Sequence, residues 1–261
     1  MTNHKNKHGD FIWYELMTSD IDGAEKFYGP LLNWTFETVP GSDVDYRIFS
    51  HDNTQIGGFL QLNEDMMAGG AKPNMTGYIA VNNVDECCAD IITNGGAVLM
   101  PAWDIDGVGR TAFVTDPQGI PFYIMAPLNN DHASESFAAL APRIGHAAWN
   151  ELSTTDQEGA KTFYRAIFGW VVDGDMDMGP MGKYEFWRHD FMIGAVMTKP
   201  DEMPVPNWVY YFRVVSLEKA AAIAKENGAL SVGELQPIPG DEFCLHGIDP
   251  QGALFALVGQ K

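Results

Sequence analysis

Short runs of alternating apolar and polar residues recur along the chain and predict β-strands. The run FIWYELMT places Trp13 and Glu15 on one face, because successive side chains of a strand point to opposite faces. The later run GHAAWNELS has the same period and places Trp149 and Glu151 on one face. The two runs therefore predict two similar strands, each with a carboxylate beside a tryptophan.

Polar residues mark where helices begin and end. Asp20 and Asp156 follow the two strands, and their side chains can accept hydrogen bonds from first-turn amides. Two further helices are predicted to begin near Val84 and Leu217 and to end at Asn-Gly pairs, a pattern typical of helix C-caps. The other runs predict strands, and a DPQG turn precedes the last strand of each half, at 116–119 and 249–252.

The two halves of the chain repeat each other. Ten residues of the first half recur at a fixed offset of 136: Trp13, Glu15, Leu16, Thr18, Asp20, Gly23, Ala24, Phe27, Tyr28 and Trp34. A repeat this long indicates a duplicated folding unit. We therefore predict a first module over 10–127, a linker over 128–143 and a second module over 144–261. Strand runs broken by single helices predict an α+β fold.

Composition excludes several classes of function. The 261 residues are 46% apolar, which suffices for a buried core, and the formal charge of −19 argues against nucleic acid and anionic membranes as partners. The N-terminal segment lacks the apolar stretch of a signal peptide, and no run approaches the roughly 20 apolar residues of a membrane span. Three cysteines form no regular framework and suit a reducing compartment. We therefore expect a soluble, cytoplasmic protein.

The ordered set of strand, Asp-opened helix, FY pair, Trp and closing strand–DPQG–strand occurs in both halves. This set resembles the vicinal oxygen chelate superfamily, which includes glyoxalase I, bleomycin-resistance proteins, fosfomycin-resistance proteins and extradiol dioxygenases. The chain is most similar to tandem two-module glyoxalase-like proteins, over nearly its whole length. The resemblance implies paired βαβββ modules, each a curved sheet with a small-molecule cavity on its concave face. It allows a monomer or a homodimer.

The resemblance also implies positions at which metal ligands are expected. Family enzymes bind Fe, Mn, Zn or Ni through His and Glu, and the metal polarises two neighbouring substrate oxygens. The corresponding positions in this chain are Trp13, Thr76 and Tyr123 in the first module, and Trp149, Val209 and Ala256 in the second. A catalytic zinc site needs about three protein ligands. We therefore expect no cofactor at these positions; a divalent metal would need other ligands.

Glu15 and Glu151 are the candidate catalytic residues, because strand period puts them on the face that carries the ligand His in relatives. A buried carboxylate is costly unless it is paired, neutral or bound. One hypothesis makes each Glu a general base, a ligand anchor or a substitute metal ligand. The other makes each a structural residue that holds the module interface through hydrogen bonds to tyrosines or backbone.

Aromatic residues are the candidate substrate-binding set. Those expected to line a cavity are Trp13, Trp149, Tyr78, Tyr211 and Tyr123. The alternative for each is ordinary core packing. Trp103 and Arg110 lie where the halves differ, so a single site could specialise there. Arg110 either holds an anionic substrate group bidentately or forms a salt bridge with a surface acid.

Three functional hypotheses follow. The first is a glyoxalase-like enzyme, lyase or dioxygenase-related, that acts on a small oxygenated or aromatic molecule, with Glu15 or Glu151 as base and Arg110 as anion anchor. The second is a non-catalytic binder that sequesters a small molecule without a metal. The third is a stress or scaffold protein with a vestigial cavity.

Overall fold

The computed structural model describes residues 5–41, 44–201 and 203–261. This part of the chain contains five α-helices, none of them long and apolar enough to cross a membrane. The helices are α1 (Ile21–Leu32), α2 (Glu64–Ala68), α3 (Val84–Thr93), α4 (Gln157–Phe168) and α5 (Leu217–Glu226).

The strands form two mixed sheets, one from each half of the chain. The first half contributes β1 (Phe11–Thr18), β2 (Thr35–Thr38), β3 (Tyr46–His51), β4 (Thr54–Gln61), β5 (Asn74–Ala80), β6 (Ala97–Ile105), β7 (Gly109–Thr115) and β8 (Pro121–Pro127). The second half contributes β9 (Ala147–Thr154), β10 (Val171–Asp177), β11 (Lys183–His189), β12 (Phe191–Thr198), β13 (Asn207–Ser216), β14 (Ser231–Val232), β15 (Gln236–Ile238), β16 (Glu242–Ile248) and β17 (Leu254–Gln260).

These elements make four βαβββ motifs, two in each half, and the fourth carries one additional short strand, β15, which pairs with β16. Motif 1 spans β1 to β4, motif 2 spans β5 to β8, motif 3 spans β9 to β12 and motif 4 spans β13 to β17. In every motif the first strand pairs in parallel with the last strand, and antiparallel pairs follow outward. A parallel pair needs a long crossover, which the helix after the first strand begins. The predicted α+β fold of tandem βαβββ modules is confirmed, and each half of the chain contains two such motifs.

Two compact units divide the chain differently from its sequence repeat. Unit 1 comprises the chain up to Ile12 together with Gly77–Ser134 and Asn150–Trp208. Unit 2 comprises Trp13–Thr76, Glu135–Trp149 and Val209–Lys261. Unit 1 therefore joins motifs 2 and 3, and unit 2 joins motifs 1 and 4. The module boundaries at 10–127 and 144–261 stay a prediction about the repeat.

The predicted helix boundaries follow from local chemistry. Asp20 caps α1 by accepting a hydrogen bond from the Gly23 amide at 3.0 Å, and Asp156 caps α4 in the same way. Helices α3 and α5 end before Asn-Gly pairs, in which Gly95 and Gly228 both have φ of +90°. A glycine adopts this left-handed conformation without the steric penalty of a Cβ.

Each unit buries one tyrosine–aspartate hydrogen bond between its two motifs. In unit 2 the Tyr28 hydroxyl donates to Asp249 Oδ2 at 3.0 Å, and in unit 1 the Tyr164 hydroxyl donates to Asp116 Oδ2 at 3.2 Å. The tyrosines come from the FY pairs and the aspartates from the DPQG turns. The FY pair of each half is thus bonded to the DPQG turn of the other half.

The other carboxylate oxygen of each aspartate organises its turn. Asp116 Oδ1 accepts hydrogen bonds from the backbone N–H groups of Gln118 and Ile120, both at 2.9 Å. Burial raises the pKa of Asp116 to about 6, although these hydrogen bonds and the one from Tyr164 favour its ionised form. Burial raises the pKa of Asp249 in the same direction. Both aspartates therefore lose some of their contribution to stability when they ionise.

The repeated tryptophans make a second reciprocal contact. In unit 2 the Trp34 indole N–H donates to the Gly145 carbonyl at 2.8 Å, and in unit 1 Trp170 donates to the Gly9 carbonyl at 3.0 Å. Gly9 and Gly145 are themselves repeat equivalents, and both have positive φ. The first contact joins the segment after α1 to the segment before β9, and the second joins the segment after α4 to the segment before β1.

We expect Asp116→Asn to flatten the pH dependence of stability. A carboxyl whose pKa rises from 3.8 unfolded to about 6 folded stabilises the native state fully below pH 3.8, and this contribution is lost as pH rises through about 6. The shift corresponds to roughly 1–3 kcal/mol, and the substitution removes it. Urea unfolding between pH 4 and pH 7 should show a smaller loss of unfolding free energy in the variant than in the wild type.

Tyr164→Phe is the contrasting variant. It removes the hydroxyl that donates to Asp116 and that also accepts the Trp208 indole N–H at 3.1 Å. A buried donor left without its acceptor costs about 1–3 kcal/mol, so unfolding free energy should fall at every pH. An unchanged pH slope in Asp116→Asn would contradict the assignment of the titration to this residue.

Candidate functional site

The two candidate catalytic glutamates occupy equivalent, buried positions. Glu15 on β1 is 3% exposed and pairs with Gly58 on β4, whereas Glu151 on β9 is 8% exposed and pairs with Ala195 on β12. The predicted tryptophans, Trp13 and Trp149, are half-buried two residues earlier on the same strands. The strand period therefore places a carboxylate and an indole on one face of each strand, as the sequence indicates.

A tyrosine hydroxyl is bonded to each of these carboxylates. In unit 1 the Tyr184 hydroxyl donates to Glu151 Oε2 at 2.8 Å. In unit 2 the Tyr46 hydroxyl is hydrogen-bonded to Glu15 and accepts the Trp13 indole N–H at 3.0 Å. Burial raises the pKa of Tyr46 well above its usual range, and the neighbouring Glu15 carboxylate raises it further. Tyr46 therefore remains a hydrogen-bond donor at neutral pH.

Gly58 makes room for the Tyr46 hydroxyl. A Cβ built on Gly58 would lie 2.0 Å from this oxygen, so any larger residue would displace the ring. The equivalent of Gly58 in motif 3 is Ala195, which has a Cβ. Tyr46 and Tyr184 occupy equivalent positions of the sequence repeat, and this recurrence was the one sign in the sequence that they matter. Only the structure shows that they are hydrogen-bonded to the glutamates.

The predicted aromatic residues of unit 1 form one contiguous stack. Tyr78 on β5 stacks on Tyr123 on β8, with ring centroids 4.2 Å apart and planes 11° from parallel. Tyr123 lies 4.4 Å from Phe113 on β7, and Trp103 meets the edge of Tyr123 at 6.4 Å. Tyr78 and Tyr123 are buried, whereas Phe113 and Trp103 are half-buried. The stack can offer an apolar wall to a planar molecule.

The equivalent positions of unit 2 are polar. Tyr211 on β13 has its hydroxyl 2.7 Å from His246 Nε2 on β16. Both residues face Ala256 on β17, which occupies the position of Tyr123. The sequence alone did not show which face of its strand His246 occupies, because that depends on the strand pairing. The register with Ala256 supplies the answer.

Arg110 lies in a network of ion pairs on unit 1. Its guanidinium donates two hydrogen bonds to Asp85, at 2.8 and 2.9 Å, and one to Asp104 at 3.1 Å. The two carboxylates raise the pKa of Arg110 above its already high range. The structure thus contains the salt bridge that the sequence left open as one of two roles for Arg110.

The residues at the family's ligand positions do not fit a metal. Tryptophan, threonine, tyrosine, valine and alanine stand where imidazole and carboxylate ligands are required. Over residues 5–41, 44–201 and 203–261, no group of three or more His, Cys, Asp or Glu side chains is arranged to hold an ion.

Two shallow surface concavities lie apart from these residues. One is lined in part by Phe36 and Gln55, and the other in part by Lys161 and Trp187. Neither lining includes a residue that the sequence identified as catalytic or substrate-binding. Because catalysis needs polar groups that converge on a ligand, the strand faces with Glu15, Glu151, Tyr211 and the aromatic stack remain the better candidates.

No family model matches the chain. A relative from Mycobacterium tuberculosis (strain CDC 1551 / Oshkosh), CFP32, is provisionally named a glyoxylase and is 32% identical over 251 residues, which cover 94% of this chain and 93% of the relative. DauV of Streptomyces sp. (strain C5), named an anthracycline biosynthesis protein, is 28% identical over 262 residues, which cover 94% of this chain and 91% of DauV.

Solved structures show the same fold at low sequence identity. The Mn(II)-bound glyoxalase from Novosphingobium aromaticivorans has a TM-score of 0.65 and 15% identity, covering 98% of this chain and 83% of that one. The 2,3-dioxygenase LapB from Pseudomonas sp. KL28 has a TM-score of 0.64 and 13% identity, covering 98% and 93%. With the repeated motifs and the full-length relatives, these similarities show that the chain belongs to the vicinal oxygen chelate superfamily, among its glyoxalase-like and dioxygenase-like members.

Proposed function

We propose that the chain is a glyoxalase-like enzyme that acts on a small oxygenated or aromatic molecule and uses a buried glutamate as its proton acceptor. The observation that carries the proposal is the glutamate–tyrosine pair, which occurs at the same strand position in both halves. Glu151 with Tyr184 is the pair in unit 1, and Glu15 with Tyr46 is the pair in unit 2.

The chemistry of the pair supports proton transfer. A carboxylate has about four lone-pair positions, so one tyrosine hydrogen bond leaves acceptor capacity for a substrate proton. Burial strengthens the electrostatic interactions of the carboxylate by excluding water. An acidic C–H beside a carbonyl group is the substrate feature that such a base can attack. A tyrosine that remains protonated could donate to the oxyanion that then develops.

Arg110 can serve as the anion anchor if a substrate group replaces its weaker partner. Asp85 holds the guanidinium through two hydrogen bonds, whereas Asp104 accepts one, and its side chain is 77% exposed. A substrate carboxylate could displace Asp104 and leave the pair with Asp85 intact.

The names of the relatives support the ligand class. One relative is named a glyoxylase and another an anthracycline biosynthesis protein, and small oxygenated or aromatic molecules are compatible with both. The three free cysteines favour a reducing compartment such as the cytoplasm, where the protein would act as a monomer or a homodimer. The formal charge of −19 supports a protein without nucleic-acid or anionic-membrane partners.

We expect the protein to exchange the carbon-bound protons of hydroxyacetone, which lie beside its carbonyl group, with deuterium from D2O. Proton NMR should show exchange faster than in buffer, and Glu151→Gln or Glu15→Gln should slow it about 100-fold or more at whichever glutamate is the base. Glu158→Gln is the matched control, since Glu158 is an exposed residue of α4. Exchange at the wild-type rate in both variants, with a lowered melting temperature, would leave the glutamates only a structural role.

A non-catalytic binder is the second candidate, and the aromatic stack of Tyr78, Tyr123 and Phe113 favours it. Buried rings with few polar groups bind planar ligands through contact area alone. A protein of this kind would sequester its ligand and would need neither glutamate.

Metal content and tryptophan fluorescence separate the candidates. We expect purified protein to contain well under one transition-metal ion per chain by elemental analysis, because the ligand positions carry no His, Asp or Glu. Naphthalene-type aromatic ligands should quench tryptophan fluorescence, and Trp103→Phe should reduce the quenching, because Trp103 meets the edge of Tyr123 in the stack. Quenching without hydroxyacetone exchange would favour the binder, whereas a stoichiometric metal would overturn the interpretation of the ligand positions.

A further inference from the structure

Two histidines of unit 2 lie against each other where the loop of residues 135–147 meets the end of β3. His146 is fully buried and His51 is 7% exposed, and their ring centroids are 6.2 Å apart. The loop approaches His51 most tightly at Gly145, where a Cβ would lie 2.4 Å from His51 Cδ2. Two ionisable rings are therefore enclosed at one joint of the unit.

A backbone carbonyl determines which nitrogen of His146 carries the proton. Its Nδ1 lies 2.7 Å from the Glu135 carbonyl oxygen, and because a carbonyl oxygen can only accept, Nδ1 is the protonated atom. Neutral His146 then has a bare lone pair on Nε2, and this buried atom receives no hydrogen bond from the residues that the structure describes. A proton added to Nε2 would place an unpaired charge in a buried site, which is costly.

Charged groups of three neighbouring elements lie near His146. They belong to its own loop, to the end of β3 with the turn that follows, and to β13: Glu135, Arg143, His51, Asp52 and Arg213. Arg143 pairs with Glu135 at 3.2 Å, and Asp52 Oδ2 lies 3.4 Å from His51 Nδ1. The Arg213 guanidinium pairs with Glu242. Each of these carboxylates therefore already has a basic partner other than His146.

These surroundings disfavour the charged form of His146. Burial lowers its pKa; the hydrogen bond to the Glu135 carbonyl partly offsets this effect, and Arg143 and His51 lower the pKa further. A base whose pKa is lowered on folding leaves stability intact above its unfolded pKa of 6.5. Stability then falls as pH drops from 6.5 toward the lower folded pKa, because the unfolded state binds the proton more readily.

The backbone of the loop holds it to the rest of unit 2. The Gly145 N–H donates to the Arg213 carbonyl at 2.8 Å, and the Arg213 N–H donates to the His146 carbonyl at 3.0 Å. The Gly145 carbonyl also accepts the Trp34 indole N–H. Displacement of the His146 ring would therefore loosen the contacts of the loop with β13 and with the residue after the α1 C-cap.

The equivalent joint of unit 1 has an aspartate in place of a histidine. The repeat places Asp10 at the position of His146. The Gly9 N–H donates to the Ala80 carbonyl, and the Ala80 N–H donates to the Asp10 carbonyl, both at 2.8 Å. Asp10 Oδ1 lies 3.5 Å from His189 Nε2, so protonation of this imidazole creates an ion pair. A proton that opposes closure in unit 2 therefore supports it in unit 1.

We propose that the loop of residues 135–147 is an acid-sensitive clasp of unit 2, closed while His146 is uncharged and released when this ring is protonated. The equivalent segment of unit 1, residues 7–10, stays closed at the same pH. The device goes beyond the proposed function. It would loosen the unit that contains Glu15 and Tyr46 at mildly acidic pH, and it would leave the other glutamate–tyrosine pair in a closed unit.

Hydrogen exchange followed by NMR measures the opening of each clasp through its own amides. We expect the protection factors of the Gly145 and Arg213 amides to fall about tenfold or more from about pH 7.5 to about pH 5.5, the effect of a difference of about one pKa unit between the closed and open states. The protection factors of the equivalent amides of unit 1, those of Gly9 and Ala80, should not fall.

His146→Asn tests the assignment to this ring. The Asn Nδ2 can still donate to the Glu135 carbonyl, but the side chain cannot take up a proton, so the Gly145 and Arg213 amides should stay protected at pH 5.5. His132→Asn is the matched control, because it removes an exposed histidine and should leave the acid response as in the wild type.

Two results would overturn the proposal. One is a wild-type protein in which the amides of the two clasps keep the same protection ratio from pH 7.5 to pH 5.5. The other is a folded His146→Asn protein that loses protection at Gly145 as the wild type does. The comparison of the two clasps in the wild type needs no variant, so it decides the matter even if His146→Asn does not fold.

Discussion

In each unit, a hydrogen bond from a tyrosine hydroxyl to a buried aspartate carboxylate connects the two halves of the chain. Asp116 and Asp249 are at most 1% exposed, and a carboxyl group in such a place is costly unless donors surround it. Two backbone amides and one hydroxyl supply the donors. The tyrosine belongs to one half of the chain and the aspartate to the other, as with Tyr28 and Asp249. Each buried aspartate therefore takes its backbone donors from its own turn and its hydroxyl donor from the other half of the chain.

This reciprocity explains why part of the fold could be predicted from the sequence and part could not. The caps at Asp20 and Asp156 and the Asn-Gly helix ends are local, since each depends on residues within one turn. The repeat likewise identified the FY pairs and DPQG turns as important. Their partnership joins Tyr28 to a residue 221 positions away, and periodicity holds no information about contacts of that range. The division into units that mix the halves was hidden for the same reason.

In the candidate site too, features within one strand could be predicted from the sequence, whereas contacts between strands could not. Strand period alone placed Glu15 and Glu151 beside tryptophans, because alternation is a property of a single strand. The tyrosines that bond them, Tyr46 and Tyr184, lie on strands that do not adjoin β1 or β9, so register decides the contact. The face of His246 was unassigned until β16 was paired with β17. For Arg110 the sequence offered two roles, an anchor for an anionic substrate group and a salt bridge with a surface acid, and the structure contains the salt bridge.

The two copies differ at the strand faces around Tyr123 and Ala256. An aromatic contact contributes about 0.5–1.5 kcal/mol, and a hydrogen bond contributes about as much, so exchanging the Tyr123 stack for the Tyr211–His246 bond costs little net stability. The Tyr–Asp bond cannot be exchanged so easily, since loss of the hydroxyl leaves a buried carboxylate without one of its donors. The FY and DPQG residues accordingly occur in both copies. The strand faces differ between the copies: one carries the aromatic stack around Tyr123, and the other carries the Tyr211–His246 pair.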